Sequence, residues 1–368
     1  MEENKGHKLK YLIITSGGEF PEFLKEELNE KYPNIKFDFD KVDLRITLKN
    51  SSEEIVGSYK ESELEEILDD KVKTKSLIEK LGVVVDDSFY ELSPREKYGE
   101  LLIKLGPGKE TTASPNPQDF INIIRDKIGN YDKLIISTLS SKLSGTYKSA
   151  VMAVQELDQV LDPLLMNRIV LLDTNLINYL VGIYTYKVLE RLINAGNDNN
   201  VVQDKVVDNE VRESVLNEMF FEALLYDLRY IDIGGRFNIE EQSLLGNLAK
   251  KGVEFLTKLG VNLLVTLKDG NAKPTGLNSL KRGRNRALKV FLDNFEEWVE
   301  SKQGSGDYNI LFLYSRRKWK GIDEGEIKEQ VKEVLGNNTK FNFYSFPLDL
   351  VLATHLGSAI GIIAYKTN

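Results

Sequence analysis

Residues 133–173 read KLIISTLSSKLSGTYKSAVMAVQELDQVLDPLLMNRIVLLD, and this stretch decides the fold. Its two ends, 133–138 (KLIIST) and 168–173 (RIVLLD), are short apolar runs, while 147–160 between them carries apolar residues at helical spacing. Strand, helix and strand at this separation predict a parallel crossover unit, and with it an α/β protein. Upstream, 9–16 (LKYLIITS) reads as a first strand and 23–31 as the helix after it. Residues 36–50 alternate apolar and polar, which suggests one or two half-exposed strands. Residues 51–105 are rich in Glu, Lys and Asp and carry apolar residues at helical spacing, so they read as a helical segment with a solvated outer face.

Downstream, 177–195 reads as an amphipathic helix ended by Gly196, and NDNN at 197–200 is linker-like. A charged helical stretch (203–228) follows, then a strand at 261–267, a turn at Asp269-Gly270 and a basic helix from Leu280. The remaining pattern is a strand at 309–315, a helix at 323–335, a strand at 341–346 and a closing strand at 360–365. At about 100–200 residues per domain, 368 residues imply two domains. The boundary is placed near residue 176, giving 1–175 and 176–368.

Composition excludes several function classes. With 49 Lys plus Arg against 57 Asp plus Glu, the formal charge of −8 argues against a dedicated nucleic-acid binder. No cysteine means no disulfide framework, thiolate nucleophile, zinc finger or iron–sulfur cluster. Two histidines, His7 and His355, leave little for a histidine-built metal site, and no acidic spacing suggests another. The start, MEENKGHKLKYLIIT, lacks the apolar core of a signal peptide, and the weakly polar run 348–365 is broken by Asp349, His355 and glycines. A cytoplasmic protein without a membrane span, metal or cofactor is expected. Gly108-Lys109-Glu110-Thr111 has the look of a Walker A end, but Ile103 stands where the loop needs glycine and Glu110 where it needs Ser or Thr. Neither a dinucleotide-binding glycine motif nor a nucleophile elbow occurs.

Three segments gather small hydroxyl residues, glycines or a histidine where ligands are commonly held. In Thr111-Thr112-Ala113-Ser114-Pro115-Asn116-Pro117, Asn116 reads as an N-cap and Pro117 as the first helical residue. Capping leaves Thr111 and Thr112 unexplained. Ser140-Ser141-Lys142-Leu143-Ser144-Gly145-Thr146 follows a strand directly, at the end where open parallel sheets bind ligands. Ser144 reads as a cap; Ser140 and Ser141 are placed for an anion or carboxylate. The third is Gly234-Gly235-Arg236 together with His355 in Ala353-Thr354-His355-Leu356-Gly357-Ser358. Taken alone, a histidine in apolar surroundings is more often a satisfied core residue, and two glycines before an arginine form a turn.

In order and spacing, TTASPNPQDF (111–120), SSKLSGTYKSA (140–150), IGGR (233–236) and HLGS (355–358) resemble the DegV family, which includes the fatty-acid-binding subunits of bacterial fatty acid kinase. The resemblance runs from residue 11 to residue 365. It implies two α/β domains, the first a doubly wound, Rossmann-like parallel sheet, with a long-chain fatty acid in a tunnel between them. It further implies a carboxylate held by Thr111 or Thr112, Ser140 or Ser141, and His355, with Arg236 nearby; Thr112, Ser141 and His355 are the preferred direct contacts. The expected role is a non-enzymatic carrier in bacterial phospholipid metabolism, offering that carboxylate to a separate ATP-dependent kinase, with transient membrane contact at most. Three departures stand out: Thr15-Ser16-Gly17-Gly18 lacks the usual Asp, Ala113 replaces a third hydroxyl, and Gly357-Ser358-Ala359 replaces Gly-Pro-Gly.

Two alternatives come from other classes. Ser141 with His355 as base would make an acyl hydrolase or transferase, for which no orienting acid can be named. Lys281, Arg282, Arg284 and Arg286, with Arg316, Arg317, Lys318 and Lys320, would make a nucleic-acid or regulatory surface, or a dock for an acidic kinase.

Overall fold

The computed structural model describes residues 8–195, 202–203, 206–207, 209–225, 261–279, 284–301, 306–315, 324–336, 339–357 and 359–367. Its first strands in chain order are β1 (Leu9–Ser16), β2 (Ile35–Lys41), β3 (Arg45–Lys49), β4 (Ile55–Lys60) and β5 (Glu110–Ala113). Next come β6 (Lys133–Thr138), β7 (Ile169–Asp173), β8 (Val202–Gln203), β9 (Val206–Val207) and β10 (Met219–Leu225). The last are β11 (Val261–Lys268), β12 (Asn271–Ser279), β13 (Tyr308–Tyr314), β14 (Phe341–Pro347) and β15 (Ala359–Lys366). No described helix is long and apolar enough to cross a membrane.

The chain divides into two units, one of residues 1–44 and 113–216, the other of 45–112 and 217–368. This differs from the single boundary expected near 176. The chain leaves the first unit after β2 and returns at Ala113, and the acidic run 51–105 falls within this excursion.

The first unit is built on the sheet β2-β1-β6-β7-β9-β8, in which β1 pairs in parallel with β2 and β6, and β6 with β7. The expected crossover unit is therefore present. Leu12, Ile14, Leu134, Ile136, Ile169 and Leu171 join one core with Phe120, Ile121 and Ile124 of helix Pro117–Lys127 and Ala150, Ala153 and Leu157 of helix Thr146–Asp158. Each such buried Leu, Ile or Phe side chain contributes about 1.5–3 kcal/mol. The continuously apolar runs of β1, β6 and β7 suit a parallel sheet buried on both faces. The strand order reverses between β1 and β6, so the ligand crevice of such folds lies at their carboxyl ends, where Ser16-Gly17-Gly18 and Leu139-Ser140-Ser141 stand. Gly17 has φ +68°, and a Cβ there would come 1.9 Å from Leu139 Cδ2, so only glycine fits.

The second unit has the sheet β12-β11-β10-β15-β13-β14, antiparallel at β11–β12, β10–β11, β10–β15 and β13–β15 and parallel at β13–β14. Leu292 and Phe295 of helix Arg284–Ser301 and Ile327, Val331 and Leu335 of helix Glu324–Leu335 share a core with Ile310, Phe312, Ile360 and Ile362. A smaller sheet, β4-β3-β5, completes it.

Six strands were not expected, among them the short β8 and β9 at the start of the stretch read as helical. β4 interrupts the helical reading of 51–105, and β10 that of 203–228, of which only Asn209–Asn217 is helical among the described residues. Met, Leu and Ala in MFFEALL favour a helix in isolation, but the segment lies centrally between β11 and β15, and sheet context overrides propensity. Its buried Glu222 is met by Asn294 Nδ2 at 2.9 and 3.1 Å. β12 contains Pro274, tolerated because the strand is at an edge. β5 carries the paired threonines.

Candidate functional site

The β3–β4 hairpin, whose second strand lies in the acidic segment, supplies the platform for Thr112. Lys49 N–H donates to Lys109 O at 2.7 Å, and the Lys109 ammonium pairs with Glu53, tying the approach to β5 onto the β3–β4 hairpin. Alternation along β5 then buries Glu110, half-buries Thr112 and exposes Thr111 and Ala113. Of the two threonines, Thr112 is the one on the inward face.

Beyond β5, Asn116 caps helix Pro117–Lys127 as expected, accepting Asp119 N–H at 3.0 Å while Asp119 accepts Asn116 N–H at 3.0 Å. Asn116→Ala is expected to cost about 1 kcal/mol in urea denaturation.

His355 lies in the last turn of helix Leu350–Leu356, which Asp349 caps through Leu352 N–H at 2.6 Å and Gly357 ends at φ 57°. Its Nε2 lies 3.0 Å from Thr112 Oγ1. Two motifs that are far apart in sequence thus meet within the second unit. Which atom donates depends on the imidazole tautomer.

Ser140 and Ser141 belong to the first unit. Ser140 is buried; its N–H donates to Leu176 O at 2.8 Å, and its Oγ accepts Lys142 N–H at 3.2 Å. Ser141 gives both donors to Asp173, N–H to Oδ1 at 3.0 Å and Oγ–H to Oδ2 at 2.5 Å. Asp173 ends β7 directly beside Thr138 of β6, a carboxylate at a strand end that sequence reading left without a role. Ser141, the nucleophile of the hydrolase alternative, has its hydroxyl on Asp173.

Ser144 does not occupy the N-cap of helix Thr146–Asp158; Gly145 does, because the chain turns one residue later. Ser144 Oγ still accepts Thr146 N–H at 3.3 Å and lies 2.8 Å from both Ser114 Oγ and Thr146 Oγ1. Gly108-Lys109 leads into a strand, not a helix, so the Walker-type context is absent. Arg236, Ser358, Lys281, Arg282, Arg316, Arg317, Lys318 and Lys320 lie outside the described residues, and Arg284 and Arg286 open helix Arg284–Ser301.

Glu110 is a second residue that sequence reading missed; an acid two positions before Thr112, on the same strand face, was the available signal. Burial pushes its carboxyl up from 4.5 to about 7, against the pull of the Gly108 and Lys109 backbone N–H groups. Its Oε2 is buried with no hydrogen-bond partner among the described residues. The fold therefore favours the protonated acid: that contribution is whole below 4.5 and is lost as pH rises through about 7. Above that range wild type forfeits on the order of 3 kcal/mol. Glu110→Gln should unfold at higher urea than wild type at pH 8.5, with the gap closing at pH 4.5. Equal midpoints at pH 8.5 would contradict this.

The model of a family described as an uncharacterised protein, DegV family, matches residues 77–367. A DegV domain-containing protein of Caldanaerobacter subterraneus is 26% identical over 232 residues, covering 62% of this chain and 73% of that protein. A Thermotoga maritima protein named fatty acid-binding protein is 26% identical over 247 residues, 67% of this chain and 73% of its own length. A solved DegV family protein from Thermus thermophilus, described by its fatty acid binding, superposes with a TM-score of 0.63 at 21% identity. That match covers 97% of this chain and 100% of that one.

Proposed function

Because this chain belongs to the DegV family, we propose that it binds a long-chain fatty acid with the acid's carboxylate on the Thr112–His355 pair. The single observation that carries the reading is the 3.0 Å contact between Thr112 Oγ1 and His355 Nε2, which unites two motifs far apart in the sequence. A buried carboxylate needs donors, and a hydroxyl and an imidazole supply them. About fifteen buried CH₂-type groups at ~0.8 kcal/mol each give on the order of 12 kcal/mol before association costs, enough to hold the tail through purification.

The carrier role follows from the same chemistry. A carboxylate at the end of a sequestered tail can be offered to a separate ATP-dependent kinase for acyl-phosphate formation, with the kinase supplying the phosphoryl-transfer machinery. We place this exchange in the bacterial cytoplasm, feeding phospholipid metabolism, with transient membrane contact only. Thr111, Ser140, Ser141 and Arg236 are the remaining residues that the family resemblance assigns to the carboxylate, and each is tested by its own substitution in the binding assay. Mass spectrometry of solvent extracts from purified, denatured protein should release a fatty acid in near-stoichiometric amount. Folded protein that carries none, and that takes up no palmitate, would overturn the reading.

A further inference from the structure

Helix Pro94–Leu105 ends the acidic segment, and its Tyr98 is buried with its hydroxyl 2.7 Å from Thr354 Oγ1. Thr354 Oγ1 in turn lies 2.7 Å from Leu350 O, one turn back in the helix, and donates to it. A hydroxyl has one proton, so with Thr354's given to Leu350 the Tyr98 O–H is the donor to Thr354. Thr354 immediately precedes His355.

The helix of Tyr98 is held at backbone contact with the sheet. A Cβ on Gly99 would come 2.4 Å from Ser315 O. Ser315 is itself locked to the start of β15, its N–H to Ala359 O at 3.0 Å and its Oγ accepting Ala359 N–H at 3.0 Å. The Tyr98 hydroxyl therefore arrives at Thr354 from a rigid support. Leu350–Leu356, by contrast, spans only seven residues, and so short a helix takes its orientation from tertiary contacts rather than from its own hydrogen bonds.

We propose that Tyr98 is a positioning residue for His355: through Thr354 it fixes the last helical turn and so the direction from which the imidazole meets Thr112. The proposal rests on the fatty-acid reading for its consequence but not for its geometry. A binding group works when its supporting shell locks its rotation, and here the lock comes from the segment that the family motifs do not touch.

Tyr98→Phe keeps the ring and removes only the hydroxyl. The chain has two histidines, so a His7→Gln background leaves one imidazole to observe by ¹⁵N NMR. In ligand-free Tyr98→Phe the His355 Nε2 resonance should move towards that of Thr112→Val, in which the bond is absent, and palmitate affinity should fall about tenfold. Thr354→Ser, which retains the relay hydroxyl, should match wild type in both measurements. A wild-type Nε2 resonance in Tyr98→Phe overturns the proposal, whether affinity is kept or lost. If Tyr98→Phe does not fold, Thr354→Val puts the same question from the other end of the relay and is judged by the same resonance. Wild type that binds no palmitate defeats the functional reading alone, since the resonance still decides on Tyr98.

Discussion

Gly182→Ala is expected to bring the first unit close to unfolding. At an open helical position this substitution stabilises by about 1 kcal/mol. Gly182, however, lies inside helix Tyr179–Asn194 where a Cβ would come 2.1 Å from Glu19 O, 2.6 Å from Phe20 Cα and 2.8 Å from Pro21 Cδ. Two of these atoms are backbone and the third belongs to a proline ring, so no rotamer change relieves the contact. The Glu19–Pro21 stretch must shift as a whole, although Glu19 N–H is tied to Asn178 O at 3.3 Å. The expected loss is on the order of 4 kcal/mol, a large part of the stability of an ordinary domain. Gly129→Ala, with nothing within 4 Å of its added carbon, serves as the control and should unfold near wild type. Equal urea midpoints for the two variants would refute the close approach.

Thr112→Val is expected to lower palmitate affinity by about 10- to 100-fold with little change in melting temperature, because it preserves shape while deleting a donor to a buried carboxylate. His355→Gln should produce a loss of the same order. The two residues touch, so their effects should not add: the double variant should bind about as weakly as the worse single one. Calorimetric titration of the three variants provides the cycle. Full additivity would mean that Thr112 and His355 act on different parts of the ligand, or on none in common.

Much of the fold was legible because its signals are local. The strands at Leu9–Ser16 and Lys133–Thr138 lie where the apolar runs begin and end, and Asn116 caps as its neighbours Pro117 and Asp119 foretell. What escaped is set by distant partners. β10 is a strand only because β11 and β15 flank it, and β5 only because the β3–β4 hairpin offers an edge. The same division runs through the site. Thr112, Ser140, Ser141 and His355 stand out as residue types in a recognisable order, whereas Asp173 draws its importance from lying one strand away from Ser141, and Glu110 from its burial. The segment 51–105 had no assigned purpose from composition; it proves to carry β4, the outer strand of Thr112's sheet, and the helix of Tyr98.

The passage of the chain between the units at 44/45, 112/113 and 216/217 bears on how the molecule is made. Vectorial synthesis delivers the first unit whole once residue 216 has emerged, whereas residues 45–112 must wait for residues 217–368 before their own unit can close. That interval leaves β3, β4 and β5 as a small sheet without its main core, the stage at which a chaperone would engage the nascent chain and at which a truncated product would be degraded.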